Sequence, residues 1–104
     1  MTLGQDDLRL LFDLATDGQD VAAGWWWRIA VWESPDAPSG IRYSLTLHGP
    51  DNTRVLGYDN DHGFHHRHPP TGERRLYPFT SCARLIEDFF VDVDRHLENQ
   101  GVLP

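Results

Sequence analysis

The stretch WWWRIAVWE, residues Trp25–Glu33, alternates between two sets of side chains with a period of two residues. A second stretch, IRYSLTLH at Ile41–His48, repeats the alternation with one apolar and one polar set. This pattern is typical of β-strands, because successive side chains of a strand point to opposite faces of the sheet. The two stretches therefore predict neighbouring strands, and the first strand is apolar on both faces.

Turn and strand signals continue on the C-terminal side of these two strands. Gly49–Asn52 is a strong turn, and Arg54–Tyr58 follows it as a third strand. Residues 59–73 lose all periodicity and are rich in His, Gly and Pro, which predicts a loop. Arg74–Phe79 is a fourth, short strand, which its proline restricts to an edge or an end of the sheet.

Helical patterns lie at the two ends of the chain. Leucines and a phenylalanine from Leu8 to Ala15 share one face and predict a short helix that ends near Gly18. Thr80 or Ser81 is suited to cap a longer helix, whose apolar positions recur at three and four residues until Gly101 stops it. The expected fold is α+β, with a three- to four-stranded antiparallel meander sheet packed against a C-terminal helix and a short N-terminal helix.

The tryptophans of the first strand raise the question of what covers each face of the sheet. Alternation predicts that Trp25 and Trp27 pack under the C-terminal helix. Trp26 and Trp32 then lie on the reverse face, where we expect the N-terminal helix to cover them. If that helix leaves the reverse face open, a partner-binding patch results, formed by Trp26, Arg28, Ala30 and Trp32.

Length and composition limit the class of protein. With 104 residues, positions 1–104 are expected to form a single domain. The only cysteine, Cys82, has no partner for an internal disulfide, and the N-terminus lacks the pattern of a signal peptide, so the cytoplasm is the expected compartment. No apolar run approaches the roughly 20 residues of a membrane helix, so no membrane association is expected.

The net charge of −7 argues against a nucleic-acid binder, which usually presents a basic surface. The acidic residues are concentrated at the two ends, however, because residues 24–79 hold six acidic and six basic side chains. All nine fixed positive charges are arginines, which suit bidentate contacts to phosphate or carboxylate. The central part of the chain therefore remains a candidate for binding RNA.

The segment YDNDHGFHHRH, Tyr58–His68, contains four of the six histidines. Imidazoles are ligands for divalent metals, so one interpretation is a site for Zn, Ni or Mg. The spacing matches no established zinc signature, and no other cofactor is expected. A solvated loop without metal is the alternative interpretation. The candidate ligands are His62, His65, His66 and His68.

The same segment contains the groups that a metal-independent ribonuclease needs. Such an enzyme requires a base for the 2′-hydroxyl proton, an acid for the leaving oxygen and a cation for the phosphorane charge. His66 and His68 are the candidate acid and base, and they project to the same side if the segment is extended. Arg67 is the candidate cation for phosphate. Tyr58 would supply a stacking ring and Asp59 a carboxylate that orients an imidazole.

Several motifs follow one another over roughly residues 40–95. They are R-Y-S-L (Arg42–Leu45), R-V-L-G-Y-D-N (Arg54–Asn60), Gly63, H-R-H (His66–His68), G-E (Gly72–Glu73), Y-P-F (Tyr77–Phe79) and L-I-E-D-F with a following D-V (Leu85–Phe89, Asp92–Val93). Together, these motifs resemble the TumE-type toxin family of prokaryotic toxin–antitoxin systems.

The resemblance implies a small growth inhibitor that is neutralised by a cognate helix-turn-helix antitoxin, with cleavage or binding of RNA as the expected activity and a homodimer as one expected assembly. The chain departs from the family pattern just before H-R-H, where it reads G-F-H without the lysine and acid of many relatives. The alternative is a non-enzymatic protein-interaction module with a structural or metal-binding His-rich loop.

Overall fold

The computed structural model describes residues 4–104, apart from the side chains of Pro38 and His62, and shows six antiparallel strands in one sheet, ordered as in the chain. The predicted α+β class is confirmed, with more strands than the three or four expected. The helices are α1 (Gln5–Leu14) and α2 (Cys82–Asn99), and the strands are β1 (Thr16–Ala22), β2 (Trp25–Glu33), β3 (Ile41–His48), β4 (Arg54–Asp59), β5 (His66–His68) and β6 (Arg75–Leu76).

Strand β1 occupies a segment in which no strand was predicted, and α1 ends at Leu14 rather than near Gly18. The sequence TDGQDVA has little strand propensity, but β2 offers it a row of backbone hydrogen-bonding groups. The two strands are joined through Ala23 and Gly24, both at positive φ (51° and 85°), as in a two-residue hairpin turn. Pairing with a strong neighbour therefore outweighs weak local preference.

Strand β5 also lies where a loop was predicted. His66–His68 pairs with β4 on one side, and its first two residues pair with β6 on the other. Three residues are too few to show periodicity in the sequence, so this strand depends on its neighbours. Its extended backbone decides where the side chains of H-R-H point.

Both helices lie on the same face of the sheet. Asp7 of α1 accepts hydrogen bonds from the backbone N–H groups of Cys82 and Ala83, at 2.8 and 3.1 Å, where α2 begins. Leu11 of α1 is fully buried in the common core, which also contains Phe89 of α2. The prediction that the N-terminal helix covers the reverse face was therefore wrong.

The tryptophans of β2 divide between the two faces as predicted. Trp25 packs its ring edge-on against His96 of α2, and Trp27 does the same with Phe90. No described helix covers the reverse face, and Trp32 is 45% exposed. We call this reverse face the open face; across β2 to β5 its residues are Trp26, Arg28, Ala30, Trp32, Arg42, Ser44, Thr46, His48, Gly57, Asp59, His66 and His68.

Two residues of the β4 region fix its position against β3. A Cβ atom on Gly57 would lie 2.8 Å from the carbonyl oxygen of Leu45, so this close approach requires glycine. Asn60 is fully buried; its Oδ1 accepts from the N–H of Tyr43 at 3.0 Å and its Nδ2 donates to the carbonyl of Ile41 at 2.8 Å. The first turn after β4 is thereby attached to β3.

The start of α2 follows the prediction. Ser81 is the capping residue, and its Oγ accepts from the N–H of Arg84 at 3.0 Å. Cys82 is buried, and burial together with the nearby Asp7 raises the pKa of its thiol to about 12. This cysteine is a core residue rather than a nucleophile.

Candidate functional site

A carboxylate between two histidines lies on the open face. Asp59 of β4 is paired with His66 of β5, and Gly57 is paired with His68. The Nε2 atom of His68 lies 2.6 Å from Oδ2 of Asp59, and the Nδ1 atom of His66 lies 3.9 Å from Oδ1. The side-chain alternation of β5 therefore brings three of the five predicted catalytic residues together.

Hydrogen bonds fix the orientation of Asp59. Its Oδ1 accepts from the backbone N–H of Asp61 at 3.1 Å, which closes a turn after β4. Its Oδ2 accepts from His68, so Nε2 of that imidazole carries the proton in this contact. When His68 is neutral, its Nδ1 atom is left as the proton acceptor.

His66 is buried but incompletely satisfied. The residue is 7% exposed, and its Nδ1 atom has no hydrogen-bond partner among the described residues. Buried polar atoms are normally paired, so an unpaired one calls for an explanation, and a catalytic role is one such explanation. His66 is therefore a candidate for proton transfer beside Asp59.

Tyr58 and Arg67 lie on the helical face, away from the two histidines. Tyr58 is 3% exposed, and its hydroxyl donates to Oδ2 of Asp92 at 2.5 Å. Arg67 donates from Nε to the same oxygen at 2.7 Å. Burial, and then the hydrogen bond to Asp92, raises the pKa of Tyr58, and the bond to Asp92 raises the pKa of Arg67. The structure does not bring Arg67 or the ring of Tyr58 to His66 and His68.

A second cluster of the same composition lies one helical turn earlier on α2. Tyr77 donates from its hydroxyl to Oδ2 of Asp88 at 2.6 Å, and Arg84 donates from Nε to Oδ1 at 3.1 Å. Asp88 and Asp92 are the two carboxylates of α2 that make these contacts. Their spacing of four residues beside the apolar stripe was a usable signal, because it places both carboxylates on the flank that meets the sheet.

The three predicted metal ligands whose side chains are described, His65, His66 and His68, are not assembled into a site. The Nδ1 atom of His65 and the hydroxyl of Tyr43 are hydrogen-bonded at 2.7 Å. The ring of His65 stacks on that of Phe79 with the centroids 4.3 Å apart. Burial, and then the nearby His66, lowers the pKa of His65. The side chain of His62 lies outside the described part of the chain. Among the side chains that are described, no group of three or more His, Cys, Asp or Glu is placed to hold a metal ion.

An aromatic pair on the open face was not found from the sequence. The rings of Trp26 and His48 stack with their centroids 4.1 Å apart and an angle of 8° between planes. Trp26 donates from Nε1 to Oδ1 of Asn52 at 3.1 Å, and Thr46 and His48 are hydrogen-bonded through Oγ1 and Nε2 at 2.9 Å. These contacts hold both rings in a defined orientation, with His48 two strands and Trp26 three strands away from His68.

Arginines complete the open face. Arg28 lies opposite Thr46 on β3, is exposed, and makes no ion pair with any described residue. Arg42, opposite Trp32, donates only to the carbonyl of Asn60, at 3.4 Å. The open-face residues of β2 to β5 named above include two arginines, three histidines and one acid, and the adjoining strand β1 adds Asp20, which pairs with Trp26.

Comparison with known proteins identifies the functional class of this protein. The family model described as Toxin TumE matches residues 10–97 of the 104, which identifies a toxin of a toxin–antitoxin system. The chain belongs to the TumE toxin family, and the family implies an antitoxin partner. No curated protein and no solved structure matches the chain. Within residues 4–104, neither helix is long and apolar enough to cross a membrane.

Proposed function

We propose that this toxin inhibits growth by binding RNA on the open face of its sheet and cleaving it at His66, Asp59 and His68. The observation that carries the proposal is the Asp59 carboxylate held between two imidazoles, at 2.6 and 3.9 Å, on a face that no described helix covers. Two histidines supply the acid and the base of a metal-independent ribonuclease.

The reaction assigned to this cluster is transesterification at phosphorus. His68, oriented by Asp59, takes the proton from the 2′-hydroxyl, and O2′ then attacks the adjacent phosphorus. The bond from phosphorus to the 5′-oxygen breaks, and the leaving oxygen takes a proton from His66. The products are a 2′,3′-cyclic phosphate and a free 5′-hydroxyl, so no metal and no external oxidant or reductant is consumed.

The rest of the open face supports binding of the strand. Arg28 and Arg42 are available for the phosphate charge that Arg67 is not placed to meet at this site. Trp26 with His48, and the exposed ring of Trp32, offer surfaces on which bases can stack. Residues 24–79 hold six acidic and six basic side chains, so the net charge of −7 arises at the two ends of the chain and not within β2 to β5.

The second candidate is a toxin that acts without catalysis, by binding a protein through the open face. The exposure of Trp32 beside the apolar Ala30 on the same face favours this reading, because exposed tryptophan is typical of interaction surfaces. The two candidates differ in one measurable property, which is the integrity of RNA in arrested cells.

The experiment compares the wild type with Asp59→Asn and a matched control, Glu87→Gln, which makes the same acid-to-amide change on the exposed side of α2. Each chain is expressed from a tight inducible promoter without antitoxin, and growth and total RNA are recorded. Purified proteins are then tested on single-stranded RNA. We expect Asp59→Asn to slow cleavage by on the order of 10²-fold and Glu87→Gln to behave as wild type.

One result would overturn the ribonuclease activity, and another would overturn its assignment to Asp59 and His68. Intact RNA in cells arrested by the wild type would leave the protein-binding toxin as the explanation. A purified Asp59→Asn protein that folds normally and cleaves RNA at the wild-type rate would show that His68 does not depend on this carboxylate.

A further inference from the structure

A cavity of about 200 Å³ lies on the helical face, between β4, β5 and the last two turns of α2. Its apolar wall is formed by Leu56 and Pro70. Its polar groups come from one strand residue and four helix residues, namely Arg67, Asp92, Arg95, His96 and Asn99. The cavity is separated from the candidate ribonuclease site by the thickness of the sheet.

The charges in this cavity favour an anion. Asp92 is already neutralised, because its Oδ2 accepts from both Arg67 and Tyr58. Arg67 uses only Nε for its contacts, so its two Nη atoms have no hydrogen-bond partner among the described residues. Arg95 makes no ion pair in the same part of the chain. The two Nη groups of Arg67, as hydrogen-bond donors, and the single uncompensated positive charge of Arg95 therefore remain available for a ligand.

The end of α2 would normally oppose an anion, because carbonyl groups at a helix C-terminus carry partial negative charge. Here three of the last four carbonyls of α2, those of His96, Leu97 and Glu98, accept from backbone N–H donors. His96 accepts from Gln100, Glu98 accepts from Gly101, and Leu97 accepts from Val102 and Leu103. The apolar wall also excludes solvent from one side, which strengthens a contact between arginine and an anion.

We propose that this cavity is a phosphate-binding site, with Arg67 and Arg95 as its charged groups and Asn99 as a further donor. Its volume is below the roughly 300–1,000 Å³ of cavities that enclose whole small molecules, so it suits a phosphate group rather than a complete nucleotide. The phosphate belongs either to a nucleic-acid strand or to a free phosphorylated molecule.

The topology of the sheet is consistent with a nucleic-acid strand as the source of the phosphate. This part of the inference rests on the proposed function. Strand β6 pairs with His66 and Arg67 but not with His68, so at His68, its last residue, strand β5 forms an edge of the sheet. At that edge the open face, with His68, meets the cavity, with Pro70. An RNA strand lying across His66 and His68 can therefore pass over the edge and place a phosphate beside Arg67.

The test is a titration of the purified protein with inorganic phosphate at constant ionic strength, followed by NMR of the backbone amides. We expect saturable shifts at His96 and Asn99, and an affinity about tenfold lower in Arg95→Gln than in the wild type. Arg9→Gln is the matched control, because it removes an exposed arginine on α1, outside the cavity. Far-ultraviolet circular dichroism checks that each variant is folded.

A second titration distinguishes the two sources. An all-deoxy oligonucleotide cannot be cleaved through a 2′-hydroxyl, and it is added to protein saturated with phosphate. Loss of the phosphate-dependent shifts assigns the site to a nucleic-acid strand, and their persistence assigns it to a free phosphorylated molecule. Absence of saturable shifts at His96 and Asn99, or equal affinity in Arg95→Gln, overturns the phosphate site whether or not the protein cleaves RNA.

Discussion

Arg67 donates its Nε–H to Oδ2 of Asp92 at 2.7 Å and so joins β5 to α2, while His66 and His68 on either side of it face the opposite way. One three-residue strand thus serves two faces of the sheet. Its middle residue holds the helix, and its flanking residues form the candidate ribonuclease site with Asp59. Stability and activity are therefore expected to respond to different substitutions.

Asp92→Ala is expected to lower the free energy of unfolding by about 2–3 kcal/mol, because it leaves a partly buried guanidinium and a buried hydroxyl without their acceptor. Asp94→Ala, which removes an exposed carboxylate two residues away, should change it by less than about 0.5 kcal/mol. Urea unfolding followed by tryptophan fluorescence measures both. Equal effects of the two substitutions would show that the Arg67–Asp92 contact does not stabilise the fold.

The segment His66–His68 shows how far the sequence can be read. Alternation correctly predicted that the two histidines share a side, and the same alternation requires Arg67 to point away. Because residues 59–73 were predicted to form a loop, the opposite orientation of Arg67 was not predicted. The partner of Arg67 is Asp92, 25 residues further along the chain. No local pattern identifies such a contact.

The position of α1 was unpredictable for a related reason. The amphipathic pattern of α1 showed that one face of this helix is buried. An apolar helix face packs equally well against either side of a sheet in which β2 is apolar on both faces. The choice depends on Asp7, whose carboxylate meets the free N–H groups at the start of α2. Because α1 joins α2, the opposite side of β2 is left uncovered by any described helix.

Asp7→Ala is expected to lower the free energy of unfolding by about 1–2 kcal/mol, because Cys82 and Ala83 lose the acceptor for their backbone N–H groups. Asp6→Ala is the matched control, since it removes the neighbouring, exposed carboxylate from the same helical turn. Thermal unfolding by circular dichroism compares the two. An Asp7→Ala protein as stable as Asp6→Ala would mean that water replaces the carboxylate at no cost.

Alkaline pH is expected to unfold the protein through its three tyrosines. Burial is the largest cause that raises the pKa of Tyr43, Tyr58 and Tyr77, so each hydroxyl is harder to ionise in the fold than in the unfolded chain. Their contribution to stability is fully present below about pH 10, the ordinary tyrosine pKa, and is lost as pH rises from there towards the raised values.

Tyrosinate absorbance and far-ultraviolet circular dichroism, recorded together against pH, check this expectation. The two signals should change in one cooperative step above the ordinary tyrosine pKa, because ionisation accompanies unfolding. A gradual rise in tyrosinate centred near about pH 10, with the secondary structure intact, would show that the three hydroxyls are open to solvent.

Trp26→Ala is expected to weaken binding of single-stranded RNA by about 5- to 150-fold, which corresponds to the roughly 1–3 kcal/mol of one base stacked on an aromatic ring. The expectation follows from the fixed orientation of Trp26, held by Asn52 and stacked on His48 on the open face. Trp27→Phe is the control, because the Trp27 ring packs against Phe90 under α2 and faces away from the proposed RNA-binding face. Fluorescence anisotropy of a labelled, all-deoxy or 2′-methylated oligonucleotide separates binding from cleavage. One outcome would contradict this expectation: Trp26→Ala binds as tightly as Trp27→Phe, while Asp59→Asn still slows cleavage. RNA would then reach the histidines from the β5 edge without crossing the sheet as far as β2.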